Sequence, residues 1–460
     1  MKNKTLYVCL ITLMLPILGF SQNENWFQKG LDTKDPKEKI EYYTKDIQKR
    51  GPTKNAYFNR GLAKNNIKDY QGAIADFSMS ILLYSSDAKF YLNRAIVYTT
   101  LNEYQNAITD YNKAIELDPQ NKLCYFYRGI VKSYQKDYQA SLTDFSKSIE
   151  LDSTNSRYYF QRGYCKSNLK DFEGAKIDYS KAIEINPKDA FAYNNRGIAK
   201  THLMDYPGAI SDYSKALEFD TLDTEAYCNR GNAYKNLKNY DSALWNYHKA
   251  IILNPKFKEA IIACGATRIE SKDFKGAISE YNKAVEIDPK YAVAFNGIGN
   301  AKKELKDYQS AESEYKKAIE LDPINSLYYS NLSTLYSLQK KYTEAIEVFN
   351  KRLLVVPTDP GLLDNFGYLY LEMDNYDEAI EQFNQCLKIE NDRNKIDATL
   401  GLALAYYSKN DQPNASKYLN QAKLIYPVLN KGMDGLLVVM KDGFTYSDKQ
   451  MEVFKKIFKD

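Results

Sequence analysis

The chain is predicted to be all-α, a solenoid of stacked helix hairpins, and three regularities carry the prediction. A glycine returns every 34 residues, at Gly61, Gly129, Gly163, Gly197, Gly231, Gly265, Gly299, Gly367 and Gly401, with Ala95 and Ser333 in the two remaining places. Ten periods therefore fill the 340 residues from Gly61 to Gly401, the signature of an array of one short unit. Twelve residues after each of the first ten of these positions stands a small residue and four later an aromatic ring, as in Ala73 and Phe77, Ala107 and Tyr111, or Ala209 and Tyr213. That spacing puts both on one helix face, where the small residue lets a second helix cross closely and the ring fills the space beside the crossing. Between these positions lie two apolar-periodic stretches of about a dozen residues, each a helix.

Taken in order, the chain opens with Lys2 and Lys4, an apolar stretch from Leu6 to Phe20, and the small residues Gly19 and Ser21 before Gln22. This reads as a secretory signal peptide over residues 1–21. The stretch is shorter than the roughly 20 residues that span a bilayer and contains Pro16, which argues against a retained anchor. Tyr7 and Val8 before Cys9 argue against lipid attachment there. The address expected is outside the cytosol, periplasmic or extracellular, in a diderm bacterium.

Residues 22–53 read as a worn N-terminal capping pair: Trp26, Phe27 and Gly30 belong to its first helix, and Tyr43 falls one period before Phe77. Residues 54–427 are the repeat array. Within it Asp69, Asp137, Asp171, Asp205, Asn239, Asp273, Asp307 and Asn375 precede the second helices, where short polar side chains accept bonds from free N–H groups. Pro119, Pro187, Pro255, Pro289, Pro323, Pro357 and Pro427 end helices by pushing their predecessors out of helical geometry. The last unit departs from the spacing, because Gly401 and Pro427 are 26 apart where Gly163 and Pro187 are 24 apart; a two-residue insertion is expected around Asn410 to Pro413. Residues 428–460 then supply capping helices, one over Val428 to Met440 and one over Ser447 to Phe458. The second opens with a Ser447–Gln450 capping box and carries the apolar stripe Met451, Phe454, Ile457 and Phe458.

On these residues the sequence resembles the tetratricopeptide repeat (TPR) family, whose pattern is an aromatic, Leu-Gly, Ala, aromatic, Ala and Pro at fixed offsets. The resemblance covers Asn55 to Pro427, eleven units. It implies a right-handed superhelix whose concave groove is lined mainly by the first helix of each pair and binds proteins or peptides. In peptide-binding members an asparagine two residues before the glycine holds the backbone of an extended ligand, a task suited to a carboxamide because it both donates and accepts. Here that offset carries Asn59, Asn93, Gln161, Asn195, Asn229, Asn331 and Asn365, interrupted by Tyr127, Ala263, Gly297 and Thr399. Neighbouring offsets carry Phe58, Phe126, Phe160 and Tyr164 toward the N-terminal half, and Asn296, Asn300 and Lys303 farther along. Apolar anchors are thus expected near one end and polar contacts near the other.

Two further positions bear on how the units join. Arginine precedes the glycine position at Arg60, Arg94, Arg128, Arg162, Arg196 and Arg230, and aspartate follows it by fifteen at Asp76, Asp110, Asp144, Asp178 and Asp212, giving way to Asn246. Pairing each aspartate with the arginine of the next unit leaves no aspartate single, so a ladder of inter-unit ion pairs from Asp76–Arg94 to Asp212–Arg230 is expected.

Composition limits the partners. Without Lys2 and Lys4, 61 basic residues face 59 acidic ones, a balance with no electrostatic footprint for nucleic acid or an anionic membrane. Cys124, Cys165, Cys228, Cys264 and Cys386 remain after signal cleavage; an odd, widely spaced set reads as small core residues, with one bridge between neighbouring units left open. Most of the 41 tyrosines recur at packing positions. His202 and His248 lie 46 residues apart and read as surface residues, so no metal ligands, no cofactor and no catalytic residues are assigned. The functional expectation is an exported, non-catalytic scaffold that binds a protein or peptide in a cell-envelope assembly. The alternatives are a structural or self-oligomerising envelope protein and, behind it, a glycan-recognition module.

Overall fold

The computed structural model describes residues 25–356, 358–389, 392–441 and 446–459. The signal-peptide reading falls on residues 1–21, outside the described ones. Every regular element among the described residues is helical, and the chain divides into two compact units, the first ending at Phe219 and the second beginning at Asp220.

In the first unit α1 (Trp26–Asp32) and α2 (Pro36–Arg50) form a leading pair. Five hairpins follow: α3 (Lys54–Asn66) with α4 (Tyr70–Leu83), α5 (Ala88–Thr100) with α6 (Tyr104–Leu117), α7 (Lys122–Tyr134) with α8 (Tyr138–Leu151), α9 (Ser156–Asn168) with α10 (Phe172–Ile185), and α11 (Ala190–His202) with α12 (Tyr206–Phe219). The second unit holds six: α13 (Thr224–Asn236) with α14 (Tyr240–Leu253), α15 (Lys258–Glu270) with α16 (Phe274–Ile287), α17 (Ala292–Glu304) with α18 (Tyr308–Leu321), α19 (Ser326–Leu338) with α20 (Tyr342–Leu353), α21 (Pro360–Glu372) with α22 (Tyr376–Leu387), and α23 (Asp392–Ser408) with α24 (Gln412–Ile425). A 3-10 turn over Pro427–Lys431, α25 (Met433–Lys441) and α26 (Asp448–Ile457) complete it.

The recurrent glycine is a packing requirement. A Cβ added at Gly61, Gly129, Gly197 or Gly231 would stand 2.6–2.8 Å from the nearest ring carbon of Phe77, Phe145, Tyr213 or Tyr247, the aromatic of the same hairpin. Those rings and the small residues one turn before them, Ala73, Ser141, Ala209 and Ala243, are almost wholly buried, so each of these hairpins closes by laying one ring on one bare backbone. Within each unit the second helix packs on the first helix of the following hairpin, and consecutive first helices also touch, so the first helices line one face of the unit.

Each hairpin turn passes through one residue with φ between 58° and 64°, from Lys68 to Asn410, and none of the eleven is glycine. In the first of them the Asp69 N–H reaches back to the Lys64 carbonyl at 2.9 Å, closing a Schellman turn. Seven of the eight expected N-caps accept a backbone N–H three residues on, as in Asp69 from Gly72 and Asp205 from Gly208; Asn375 makes no such bond.

The last hairpin corrects the expected insertion point. Its left-handed residue Asn410 and N-cap Asp411 follow Ala403, not Gly401, at the offsets seven and eight found elsewhere. The two extra residues therefore precede the hairpin crossing, in the longer α23, and the segment from Asn410 to Pro413 is of ordinary length. Gly401 keeps the 34-residue phase for another reason: a Cβ there would meet the Phe383 ring of the preceding hairpin at 2.3 Å. Gly297 stands likewise against Tyr281. The expected long helix from Val428 is also divided, at Gly432 with φ 64°. The capping box at Ser447 and Gln450 is present, and Phe454 and Ile457 of the stripe are buried in one core with α22, α23 and α24.

Candidate functional site

On α7, α9 and α11 the offsets six and two residues before the glycine, and one after it, lie on one helix face. In α11 this puts Phe191, 68% exposed, one turn before Asn195, whose Nδ2 donates to the Phe191 carbonyl at 2.9 Å. In α9 it places Gln161 before Tyr164, 40% exposed, and in α7 it exposes Leu123. Tyr134, at the end of α7, is 61% exposed. The first unit thus presents apolar side chains among carboxamides. Asn93 on α5 bonds its own helix as Asn195 does, through the Lys89 carbonyl at 2.8 Å, and Asn59 is half-buried on α3.

Three expected aromatic contributors are mainly structural. Phe126 is 2% exposed, its ring packed on Phe145 and Tyr158, so it is a core residue and offers nothing to a ligand. Phe160 lies on Tyr179, and Phe58 lies between Phe77 and Phe90. Phe191 was missed by sequence reasoning, although its place one helical turn before Asn195 was the available signal.

In the second unit the polar row links neighbouring first helices. Asn331 Nδ2 donates to Asn296 Oδ1 at 2.8 Å, and Asn365 Nδ2 to Ser330 Oγ at 3.2 Å and to the Gly361 carbonyl at 2.7 Å. Asn300 accepts the Tyr315 hydroxyl, Lys303 pairs with Glu304, and Asn229 is half-buried on α13. At its C-terminal end α26 lies across α21 and α23: Gln450 Nε2 donates to the Tyr368 carbonyl, Lys449 bonds the Glu372 carbonyl and Asp374, and Ser447 bonds Glu372. A cleft of about 330 Å³ remains between α19, α21 and the start of α26, with Asn365, Glu372 and Gln450 on its wall.

The arginines and aspartates pair within a hairpin, which overturns the expected ladder. Arg60, Arg94, Arg128, Arg162 and Arg196 each hold the aspartate sixteen residues on through Nε and Nη2 at 2.5–2.9 Å. The remaining Nη1 donates to a neutral oxygen of the preceding hairpin or leading pair, sixteen residues back: Thr44, Ser78, Asn112, Ser146 and Ser180. The link between hairpins is thus a hydroxyl or amide, because the fork fills both carboxylate oxygens inside the hairpin. In the second unit Arg230 Nε finds the Asn246 oxygen at 2.8 Å, and burial without that carboxylate lowers its pKa.

One hairpin later every member of this trio changes. His248, Cys264 and Glu280 keep the sixteen-residue spacing, with His248 Nε2 3.5 Å from both Cys264 Sγ and Glu280 Oε1. The Cys264 and Glu280 bonds push the imidazole up to about 9; burial works against ionisation of Glu280, but bonds to His248 and Lys283 outweigh it and hold the carboxyl down to about 2. Sequence reasoning placed neither histidine in a cluster, whereas the shared spacing with Arg and Asp was the missed signal. His202 stacks on Phe172 at 4.1 Å. Cys124, Cys165, Cys228 and Cys264 are buried free thiols, and Cys386 is buried as well.

Among the described residues no helix is long and apolar enough to cross a membrane. Family models described as tetratricopeptide repeat match residues 88–121 and 224–257, 156–189, 292–325 and 361–393, and 314–347, and one described as TPR repeat matches 265–306. Among solved structures, YrrB, described as a TPR protein with an unusual peptide-binding site, is 26% identical, with a TM-score of 0.38 over 40% of this chain and 95% of its own. A tetratricopeptide repeat protein from Parabacteroides merdae is 20% identical, with a TM-score of 0.44 over 54% of this chain and 98% of its own. Yeast Tom70 is 16% identical, with a TM-score of 0.44 over 88% and 91%. No curated protein matches the chain. Eleven hairpins of one construction, matched along the array by these family models, make the chain a member of the tetratricopeptide repeat family, whose repeats indicate a protein-interaction scaffold.

Proposed function

We propose that the protein is an exported, non-catalytic scaffold in a cell envelope, and that it binds an extended segment of a partner protein along the first-helix face of α7, α9 and α11. The observation that carries this reading is the exposed Phe191 ring one turn from Asn195, beside the Gln161 and Tyr164 face of α9. An apolar side chain of a peptide is drawn to the ring, and its backbone to carboxamides that donate and accept. Export rests on the leader sequence of residues 1–21.

A photo-crosslinking residue at position 191, in cells that make the protein, tests the binding face. A defined protein adduct, lost when Asn195→Ala and Tyr164→Ala are added to a variant of unchanged helicity, is the expected result. Adducts that persist in that variant, or arise equally from a crosslinker at Lys181 on α10, place binding elsewhere. An adduct with a second copy of the chain, accompanied by dimeric sedimentation, replaces this reading with the self-oligomerising one. N-terminal sequencing of the mature protein tests export: a first residue of Met1 in the cytosolic fraction overturns it.

A further inference from the structure

We propose that His248, Cys264 and Glu280 form a binding site for a borderline-soft divalent cation of the zinc class. The site lies inside the second unit, where α14, α15 and α16 meet, and is independent of the peptide-binding face. At five such junctions the same three places hold a neutral oxygen acceptor, an arginine and an aspartate, with the guanidinium as the positive charge that bridges the other two. At Cys264 that charge is gone. Its partners have changed with it, the oxygen to an imidazole and the aspartate to a glutamate one methylene longer, so all three side chains at the vacated position are now metal-ligand types. A cation held among them restores the bridging charge.

The geometry fits that substitution. Around a tetrahedral zinc with bonds of about 2.0–2.3 Å, ligand atoms stand roughly 3.3–3.6 Å apart. The Cys264 Sγ to His248 Nε2 and His248 Nε2 to Glu280 Oε1 separations are both 3.5 Å, and all three ligand atoms lie within 4.8 Å of one another. Rotation within the glutamate side chain closes the remaining edge. Thiolate with imidazole selects a zinc-class ion over magnesium or calcium, which take oxygen ligands. Cys264 and Glu280 are buried while the His248 side chain is 40% exposed, which leaves an entry path and a fourth position for water.

Two cations flank the site. Lys283 Nζ holds the other glutamate oxygen, Oε2, at 2.8 Å, and so is compatible with a metal on Oε1. Arg268 Nε stands 3.6 Å from Oε1 without a hydrogen bond and its guanidinium also interacts with Cys264, while its Nη1 is held by Asp273, so a metal on the thiolate and Oε1 takes the place of that guanidinium and leaves it on Asp273. Cysteinate and glutamate supply two negative charges for the divalent ion. Binding releases the thiol proton, and the imidazolium proton where present, to solvent.

The test is titration of the reduced full chain with Co²⁺, read by the cysteinate-to-cobalt charge-transfer band, followed by displacement with Zn²⁺. One equivalent of band-forming cobalt, displaced by zinc, is expected. Cys264→Ser should abolish the band, and Glu280→Gln or His248→Asn should weaken zinc affinity beyond the roughly 100-fold that outer-shell changes cost. Cys228→Ser, a buried thiol outside the cluster, should leave the band intact. The triple variant His248→Ser, Cys264→Arg, Glu280→Asp rebuilds the bridge of the other hairpins; it should match the parent in helicity and take up no cobalt. Absence of the band from the parent, or its survival in the rebuilt variant, overturns the site.

Discussion

At the residue scale, the arginine bridge decides how one hairpin is joined to the next. Asp212 is buried and receives Arg196 through two bonds and Lys200 through a third, so its carboxylate is compensated inside its own hairpin. Removing one partner of such a buried pair costs about 3–5 kcal/mol. A double-mutant cycle on Asp212 and Arg196, followed by denaturant unfolding, should return a coupling of roughly 0.5–3 kcal/mol, and the same cycle on Asp178 and Arg196, the inter-hairpin pairing, one near zero. Both residue types and their spacing were legible in the sequence, but the partner was not: Arg196 and Arg230 are each consistent with a helical hairpin until side-chain direction is known. A second buried carboxyl works the other way. Burial, then the charge of Asp397, raises the Asp364 carboxyl well above its ordinary value. The folded state therefore favours the protonated form. Its stabilising contribution is complete below the ordinary carboxylate range and is lost as pH rises toward the raised value, by about 1.4 kcal/mol per pH unit between the two. Asp364→Asn, neutral throughout, should flatten that decline in thermal melts across pH and stabilise the protein at neutral pH; an unchanged slope would remove Asp364 as its source.

At the element scale, helix existence and hairpin closure follow from local chemistry, because glycine, ring, cap and proline each act within a few residues of where they stand. The hairpin turns do not look like turns in the sequence. Their left-handed residue is a lysine in seven of eleven cases, where glycine would avoid the Cβ penalty. Lys272, with φ 64°, should therefore gain stability on replacement by glycine, by about 0.5–1 kcal/mol once the greater freedom of the unfolded chain is subtracted. Urea unfolding measures it, and a loss of stability would mean that the lysine side chain contributes more than the turn costs. The displaced register of α23 is of the same kind. Gly401 preserves the repeat phase because the Phe383 ring needs a bare backbone there, so a glycine of different purpose stands where the count expects the crossing.

At the scale of the whole molecule, each unit is stabilised by neighbour-on-neighbour packing, and the end of the array needs a cover. Phe454 and Ile457 of α26 supply it over α23. Phe454→Ala should cost about 3–5 kcal/mol through the cavity it leaves, and amide exchange should accelerate in α23–α26 while α3–α10 keep their protection. Acceleration spread evenly along the chain would show that the array unfolds as one cooperative body. The sequence by itself determined the all-α solenoid class, the eleven hairpins and the repeating core, because those depend on periodicity and on contacts within one unit that every copy restates. Only the tertiary structure decided which arginine meets which aspartate, that Phe126 is core while Phe191 is exposed, and that His248, Cys264 and Glu280 meet. Those outcomes depend on the direction of side chains between neighbouring helices, a quantity that residue spacing leaves open.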